Sequence, residues 1–280
     1  MTIAISLKVN NGVVLATDSA ATIFAQTPDG KQMGVVNVYQ NAEKLFNLCK
    51  GFPIGVITWG SGAIGQASIS SLTRDFRKVL SEKPLQKENV SIKLITEQFS
   101  EYINKFYMNA FKEWQTKPDI GFIIAGYSTE QDFAEEWSFD IVNGKLNGPT
   151  LVRGPTETGM IWNGEPDAIT RLFFGFSNNL PQLMNEAGIK DDQIKKVLDL
   201  SREKLAIPFV IGAMPIQDAI DLAQFFVETT INFSKFSPGA PTVGGSIDIA
   251  AITKHEGFKW VKRKHYYNSE LNPEISCGVK

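Results

Sequence analysis

The sequence predicts an α+β protein in which β-sheets pack against each other and helices lie outside them. Two observations lead to this class. Short β-branched or apolar runs, separated by Gly, Asn and Pro, predict strands at the beginning, in the middle and at the end of the chain. Between these runs, apolar residues recur at helical spacing in two blocks. Strands, two helices, strands, helices and strands in this order are typical of stacked sheets with outer helices.

The chain begins with a predicted hairpin. Residues 2–8 and 13–17 are strand-like, and the Asn-Asn-Gly between them is a tight-turn signal. A polar stretch at 25–34 contains Pro and Gly, and we interpret it as a loop. The segments EKLFNLC and FPIGVITWG then predict a second hairpin, which turns at Lys50 and Gly51.

Helical periodicity appears twice in the rest of the chain. Residues 69–80 and 92–110 each present one apolar face and predict two consecutive helices. Four strand-like segments follow, namely IGFIIAGY, EEWSFDIV, PTLVRG and TGMIWNG. The helical pattern returns at Glu165 and again at 193–205 and 216–233, and the segments GGSIDIAAIT and FKWVKRKHYY predict closing strands.

The 280 residues predict one domain, because 43% are hydrophobic, 21% are charged, and no linker or internal repeat divides the chain. We expect that domain to span residues 1–280. The polar and charged stretch around residues 175–208 carries only one weak amphipathic pattern, and we interpret it as a helical insertion.

Composition excludes several classes of partner. Twenty-eight basic and 30 acidic residues give a net charge of −2, which offers no general attraction for nucleic acid or anionic lipid. No run of about 18 apolar residues and no secretory signal is present. Two cysteines and two histidines form neither a disulfide framework nor a metal-binding pattern. We therefore expect a cytoplasmic protein without a metal, and without a membrane or nucleic-acid partner.

Thr2, directly behind the initiator, is a candidate nucleophile. Because cells generally remove an initiator Met before a small residue, Thr2 would carry a free α-amine beside its hydroxyl. A hydroxyl needs a nearby base, and an α-amine, with a pKa of about 7.7–8.0, titrates near working pH. Lys44 would hold that amine neutral, and Asp18 would keep Lys44 charged and oriented.

This start resembles that of proteasome β-subunits and their bacterial relatives, which are N-terminal-nucleophile hydrolases. The segments TIAISLKVNNGVVLATDSAAT, EKLFNL and GVITWGSG carry the resemblance, while VGGSIDIAAITK and PIQDAIDLA resemble the final turn and strand of the family and the helix before them. The resemblance covers most of the chain and implies a four-layer αββα sandwich, with two mainly antiparallel sheets between helix layers.

The same resemblance implies a role for each member of the site. The candidate catalytic residues are Thr2, Asp18, Lys44, Gly60 and Asn163. The backbone N–H of Gly60 would form the oxyanion hole, and Asn163 would replace a serine that the family carries before a helix. Thr22 and Trp59 would bind substrate, with Thr22 hydrogen-bonding its backbone.

The family further implies a peptide or small amide substrate, an acyl-ester intermediate, no cofactor, and a homo-oligomeric ring or spiral. Whether an ATP-driven unfoldase supplies substrate stays open. Where active members carry an Asp and a Ser near the catalytic amine, this chain has Ala240 and Val243, whose side chains cannot form hydrogen bonds. A second function is therefore retained: a catalytically inactive relative that acts as an oligomeric scaffold or binding protein.

Simpler interpretations stand beside these. The segment WGSGAIG lacks the final Lys-Ser/Thr of a phosphate-binding P-loop. The segment KWVKRKHYY mixes basic and aromatic residues, as nucleic-acid contacts do, but its alternation and the neutral overall charge favour an edge strand or subunit contact. Asp18 could cap a turn, and Lys44 could be a solvated charge at a strand edge.

Overall fold

The computed structural model describes residues 2–26, 32–82, 90–129 and 131–264. Within these residues it is a mixed α/β protein with two five-stranded sheets, two two-stranded sheets and six helices. The predicted fate of Met1 and the end of the closing strand predicted from KWVKRKHYY lie outside the described residues.

The elements follow the chain in the predicted alternation of strands and helices. The strands are β1 (Ile3–Val9), β2 (Gly12–Thr17), β3 (Ala21–Gln26), β4 (Gln32–Tyr39), β5 (Leu45–Asn47), β6 (Ile54–Gly60), β7 (Ala63–Ile64), β8 (Ala67–Ser68), β9 (Ile120–Gly126), β10 (Glu135–Val142), β11 (Lys145–Arg153), β12 (Gly159–Gly164), β13 (Asp248–Thr253) and β14 (Gly257–Lys262). The helices are α1 (Ile69–Glu82), α2 (Ile92–Ala110), α3 (Asp167–Phe174), α4 (Leu180–Glu186), α5 (Asp191–Leu205) and α6 (Ile216–Phe236).

Both large sheets are antiparallel, in the orders β12-β1-β2-β13-β14 and β11-β10-β9-β6-β5. β1 and β2 pair with Ala4 opposite Thr17, which confirms the first predicted hairpin. β5 and β6 pair with Leu45 opposite Ile57, which confirms the second. β14 lies at an edge of its sheet, so the edge-strand interpretation is confirmed for the described part of that segment.

The interpretation of residues 25–34 as a loop is wrong at both ends. β3 and β4 pair as a separate two-stranded ribbon, with Ala21 opposite Tyr39. The Thr-Pro-Asp-Gly turn signal in the middle of the segment obscured the β-branched residues on either side of it, which favour strands. The central residues 27–31 are not among those described.

Three apolar clusters hold the elements together. One joins the second sheet to α1 and α2, and another joins the first sheet to α3 and α6. The third contains inward-facing side chains of both sheets, including Ala4, Leu15, Ile57 and Ile123. Because side chains alternate along a strand, β1 contributes to both the second and the third of these clusters.

The space between the sheets also contains a charged network that the sequence analysis missed. The Ser6 hydroxyl donates to one carboxylate oxygen of Glu136, and the Arg153 guanidinium donates to the other at 2.9 Å. The Lys8 ammonium donates to three backbone carbonyls within residues 154–157, at 2.6, 2.9 and 2.6 Å. Each buried charge is therefore hydrogen-bonded, as a low-dielectric interior requires.

The stretch around 175–208 contains α4 and α5, which contact each other, and α5 also contacts α3. α5 buries only Ile194 and Leu198, in keeping with the weak amphipathic pattern of its sequence. In the part of the chain that the structure describes, no helix is both long and apolar enough to span a lipid bilayer.

Candidate active site

Asp18, which follows β2, is fully buried and accepts four hydrogen bonds. Its Oδ1 accepts from the backbone N–H of Ile3 at 3.1 Å and from the ammonium of Lys44 at 2.6 Å. Its Oδ2 accepts from the backbone N–H groups of Ala20 and Gly244 at 3.1 and 3.0 Å. One carboxylate thus joins the start of β1, Lys44 and the turn before β13.

The Lys44 side chain is 8% exposed, so its interpretation as a solvated strand-edge charge is wrong. Its backbone carbonyl accepts the N–H of Thr58 at 2.9 Å, which holds Lys44 beside β6. Burial lowers the pKa of the Lys44 ammonium, because a low-dielectric surrounding disfavours charge, and the Asp18 carboxylate opposes this effect. Asp18 is its only ion-pair partner among the described residues.

A second buried ion pair supports the first. The Lys264 ammonium contacts the Asp248 carboxylate and donates to the hydroxyl of Ser19 at 2.8 Å. The backbone N–H of Ser19 in turn donates to the carbonyl of Gly244 at 2.9 Å. The positive charge of Lys264 adds to the lowering of the Lys44 pKa. The sequence analysis missed this pair, although an Asp that opens an otherwise apolar strand is a signal for it.

The backbone of Thr2 is held by the end of β12. The Thr2 carbonyl accepts the N–H of Glu165 at 2.7 Å. Gly164 has a φ of +99°, and a Cβ there would lie 1.8 Å from the Thr2 carbonyl oxygen. Only glycine permits this close approach.

A cleft of about 340 Å³ opens beside Thr2. Trp59 and Gly60, at the end of β6, line it, as do Asp119, just before β9, and Asp140 on β10. Trp59 and Gly60 were predicted from the family resemblance, whereas the two carboxylates were not predicted. No short motif links Asp119 and Asp140, because the pairing of β9 with β10 brings them together.

Gly60 has a backbone conformation that a side chain would not allow. Its φ is +84°, and a Cβ would lie 2.3 Å from the carbonyl oxygen of Asp119. That carbonyl also accepts the N–H of Ser61 at 2.9 Å. The tight contact fixes the position of the Gly60 backbone at the wall of the cleft.

Asn163 lies on β12 opposite Ala4 of β1. Its side-chain nitrogen is buried and has no hydrogen-bond partner among the described residues. A buried N–H donor without a partner is costly, so this amide is available to a ligand that reaches it.

Four predicted site residues, Asp18, Lys44, Asn163 and Thr22, are not among the described residues that line the cleft. The Thr22 hydroxyl donates to the carbonyl of Thr242 at 3.4 Å. Its contact with substrate stays a prediction.

The two positions that depart from the family pattern differ in their surroundings. Val243 is buried in the apolar cluster with α6, whereas Ala240 is exposed. Neither supplies a polar side chain. The backbone N–H of Gly244, next to Val243, instead reaches Asp18.

Within the described residues, the architecture is similar to that of a solved Anbu structure. The chain is similar to the Gly-1 mutant of Anbu from Hyphomicrobium sp. strain MC1, with a TM-score of 0.50 and 14% identity over 94% of this chain and 86% of that chain. It is also similar to Anbu, an ancestral beta-subunit, from Yersinia bercovieri, with a TM-score of 0.48 and 12% identity over 94% of this chain and 88% of that chain. No family model and no curated protein matches the sequence. At these identities the likeness shows the fold alone.

Proposed function

We propose that the protein is a threonine-type N-terminal-nucleophile hydrolase that cleaves peptide or small amide bonds. The observation that carries this proposal is the shared carboxylate oxygen of Asp18, which accepts both the Ile3 N–H and the Lys44 ammonium. If Met1 is removed, the new α-amine belongs to the residue before Ile3, whose N–H shares an Asp18 oxygen with the Lys44 ammonium. A nearby cation lowers the pKa of an amine below its usual value of about 7.7–8.0, so the amine is neutral and can accept a proton.

The proposed reaction uses the protein's own nucleophile and base together with one water molecule. The Thr2 hydroxyl oxygen attacks the carbonyl carbon of the substrate, and its proton passes to the α-amine of the same residue. The Gly60 N–H stabilises the resulting oxyanion, a donor of the kind whose loss typically costs about 10²–10³ in rate. The substrate amine leaves with the proton and an acyl ester forms. Water, deprotonated by the α-amine, then attacks the ester and restores the hydroxyl.

Further features accompany this function. The three apolar clusters support a four-layer αββα sandwich within a single domain, with the helical segment around 175–208 as an insertion. Exposed apolar side chains on the β3-β4 ribbon, at Ile23, Val36 and Tyr39, support contacts between subunits of a homo-oligomeric ring or spiral. The assembly would act in the cytoplasm, alone or with an unfoldase.

Two measurements on the purified full chain test the proposal. Its intact mass should lack Met1, and a peptide epoxyketone, which reacts with both a free amine and a neighbouring hydroxyl, should form an adduct at Thr2. Thr2→Ser, which keeps the hydroxyl, should be labelled, whereas Thr2→Ala should not. A mass that includes Met1, or equal labelling of Thr2→Ala, would eliminate the nucleophile.

Val243 favours a second candidate function, an inactive scaffold or binding protein. Its burial in an apolar cluster means that no polar side chain at this position can assist the amine. Loss of one acid-base partner typically lowers a rate by about 10²–10⁴, which can leave no useful activity. A defined oligomer in light scattering, combined with a retained Met1 and no adduct, would support this function.

A further inference from the structure

The cleft beside Thr2 carries two carboxylates that form no ion pair with any described residue. Asp140 lies on β10 directly opposite Gly121 of β9, which has no side chain. Asp119 stands just before β9 and lines the same cleft. Lys117 packs over Gly144 in the turn that follows β10, but it makes no ion pair with either carboxylate.

Each carboxylate keeps one oxygen for an incoming group. Oδ1 of Asp140 accepts from the side-chain amide of Asn147 at 2.8 Å, and Oδ1 of Asp119 accepts from the backbone N–H of Asn143 at 2.9 Å. The second oxygen of each has no hydrogen-bond partner among the described residues. Two negatively charged acceptors in one cleft favour a ligand whose hydrogen-bond donor carries a positive charge.

Trp59 supplies a flat apolar wall of the same cleft. Its indole packs so closely on Gly121 that a Cβ there would lie 2.2 Å from an indole atom. An aromatic face binds the alkyl stem of a long basic side chain, and it attracts a guanidinium or ammonium group through its π-electrons. The cleft therefore combines an aromatic surface for a stem with two carboxylates for a charged tip.

We propose that this cleft binds a lysine or arginine side chain of the substrate, so that the enzyme prefers to cleave beside a basic residue. The position of this pocket relative to the scissile bond rests on the proposed function, because Thr2 and Gly60 line the same cleft. The charge preference itself depends only on Asp119, Asp140 and Trp59. It should be detectable as binding even in a chain that does not react.

The test uses the full chain labelled with 5-fluorotryptophan and titrated with Nα-acetyl-arginine amide. Nα-acetyl-citrulline amide, which has almost the same shape without the charge, is the matched control ligand. The ¹⁹F signal of Trp59, identified by its loss in Trp59→Phe, should move with the arginine compound at a concentration about tenfold or more below that needed with citrulline. Equal responses to the two ligands, or no response to either, overturn the proposal.

Variants separate this inference from the proposed function. Asp140→Asn keeps an acceptor for Asn147 and removes only the charge, so it should abolish most of the preference for arginine, and Asp119→Asn should reduce it. Asp132→Asn, in an exposed pair on another loop, should leave it intact. Thr2→Ala should keep the preference while losing epoxyketone labelling. A preference that survives in the Asp119→Asn, Asp140→Asn double variant refutes the assignment of the pocket.

Discussion

The protein should lose more stability when Asp18 is replaced than when its ion-pair partner Lys44 is replaced. In Lys44→Met, the carboxylate of Asp18 keeps three of its four hydrogen bonds, all from backbone N–H groups. In Asp18→Asn, the buried ammonium loses its only ion-pair partner among the described residues. The side-chain amide that this substitution introduces also places an NH₂ group beside backbone N–H groups that need an acceptor. Asp18→Asn should therefore be the more damaging change.

The magnitudes follow from this count of lost contacts. Removing one partner and leaving a buried charge uncompensated typically costs about 3–5 kcal/mol of unfolding free energy. Lys44→Met should cost about 1.5–3 kcal/mol, the range for one lost hydrogen bond to a charged group. At roughly 2–4 °C per kcal/mol, Asp18→Asn should lower Tm by about 6–20 °C. The double variant of Asp18→Asn and Lys44→Met should cost less than the sum, because no charge remains unpaired.

Calorimetry should measure the unfolding of the wild type, the two single variants and the double variant. Together these four proteins form a double-mutant cycle. Asp132→Asn, in the exposed pair with Lys254, is the control and should leave Tm nearly unchanged. The reasoning is refuted if Lys44→Met is as destabilising as Asp18→Asn, or if the costs of the two single changes simply add in the double variant.

Four other predictions concern the same site. Gly164→Ala should lower Tm much more than Gly175→Ala, since both residues have a positive φ but only the first lacks space for a Cβ; equal costs would contradict the tight contact. Unfolding free energy should rise with pH between the lowered pKa of Lys44 and its usual value of about 10.4, since the unfolded chain then binds more protons. Lys264→Met should move the start of this rise to higher pH, because it removes a positive charge that lowers the Lys44 pKa; an unmoved profile would argue against the coupling. Asn163→Leu should keep or raise Tm, because it removes an unpaired donor, yet lower the hydrolysis rate, and an unchanged rate would remove Asn163 from the site.

Local patterns predicted most of the framework. The Asn-Asn-Gly turn, the apolar and β-branched runs of β1 and β2 and the helical spacing in α1 and α2 depend on neighbours in sequence, which periodicity and turn chemistry reveal. The β3-β4 ribbon was missed because a strong turn signal between two short strands also has the composition of a loop. β3 and β4 pair with each other, and this pairing, which composition does not reveal, distinguishes a ribbon from a loop.

The site was predicted only in part, for a related reason. Asp18, Lys44 and Gly60 stand in strings that resemble a known family, so they could be found without knowing their contacts. Lys264 reaches Ser19 across 245 positions of sequence, and no string contains both. Asp119 and Asp140 face one cleft because of the register between β9 and β10. Such contacts depend on tertiary pairing, which a single sequence does not show.

The two buried charged networks at opposite ends of β1 differ in a way that bears on function. At the far end, Lys8 and Glu136 have their hydrogen-bonding groups occupied by the protein itself. At the near end, the Asp18 network holds Ile3, and the neighbouring Thr2 lines a cleft with two carboxylates that form no ion pair among the described residues. Buried ion pairs add little net stability over apolar packing, so stability alone explains neither network well. A network that holds the chain start rigid beside unsatisfied polar groups is, however, the arrangement that a reactive site requires.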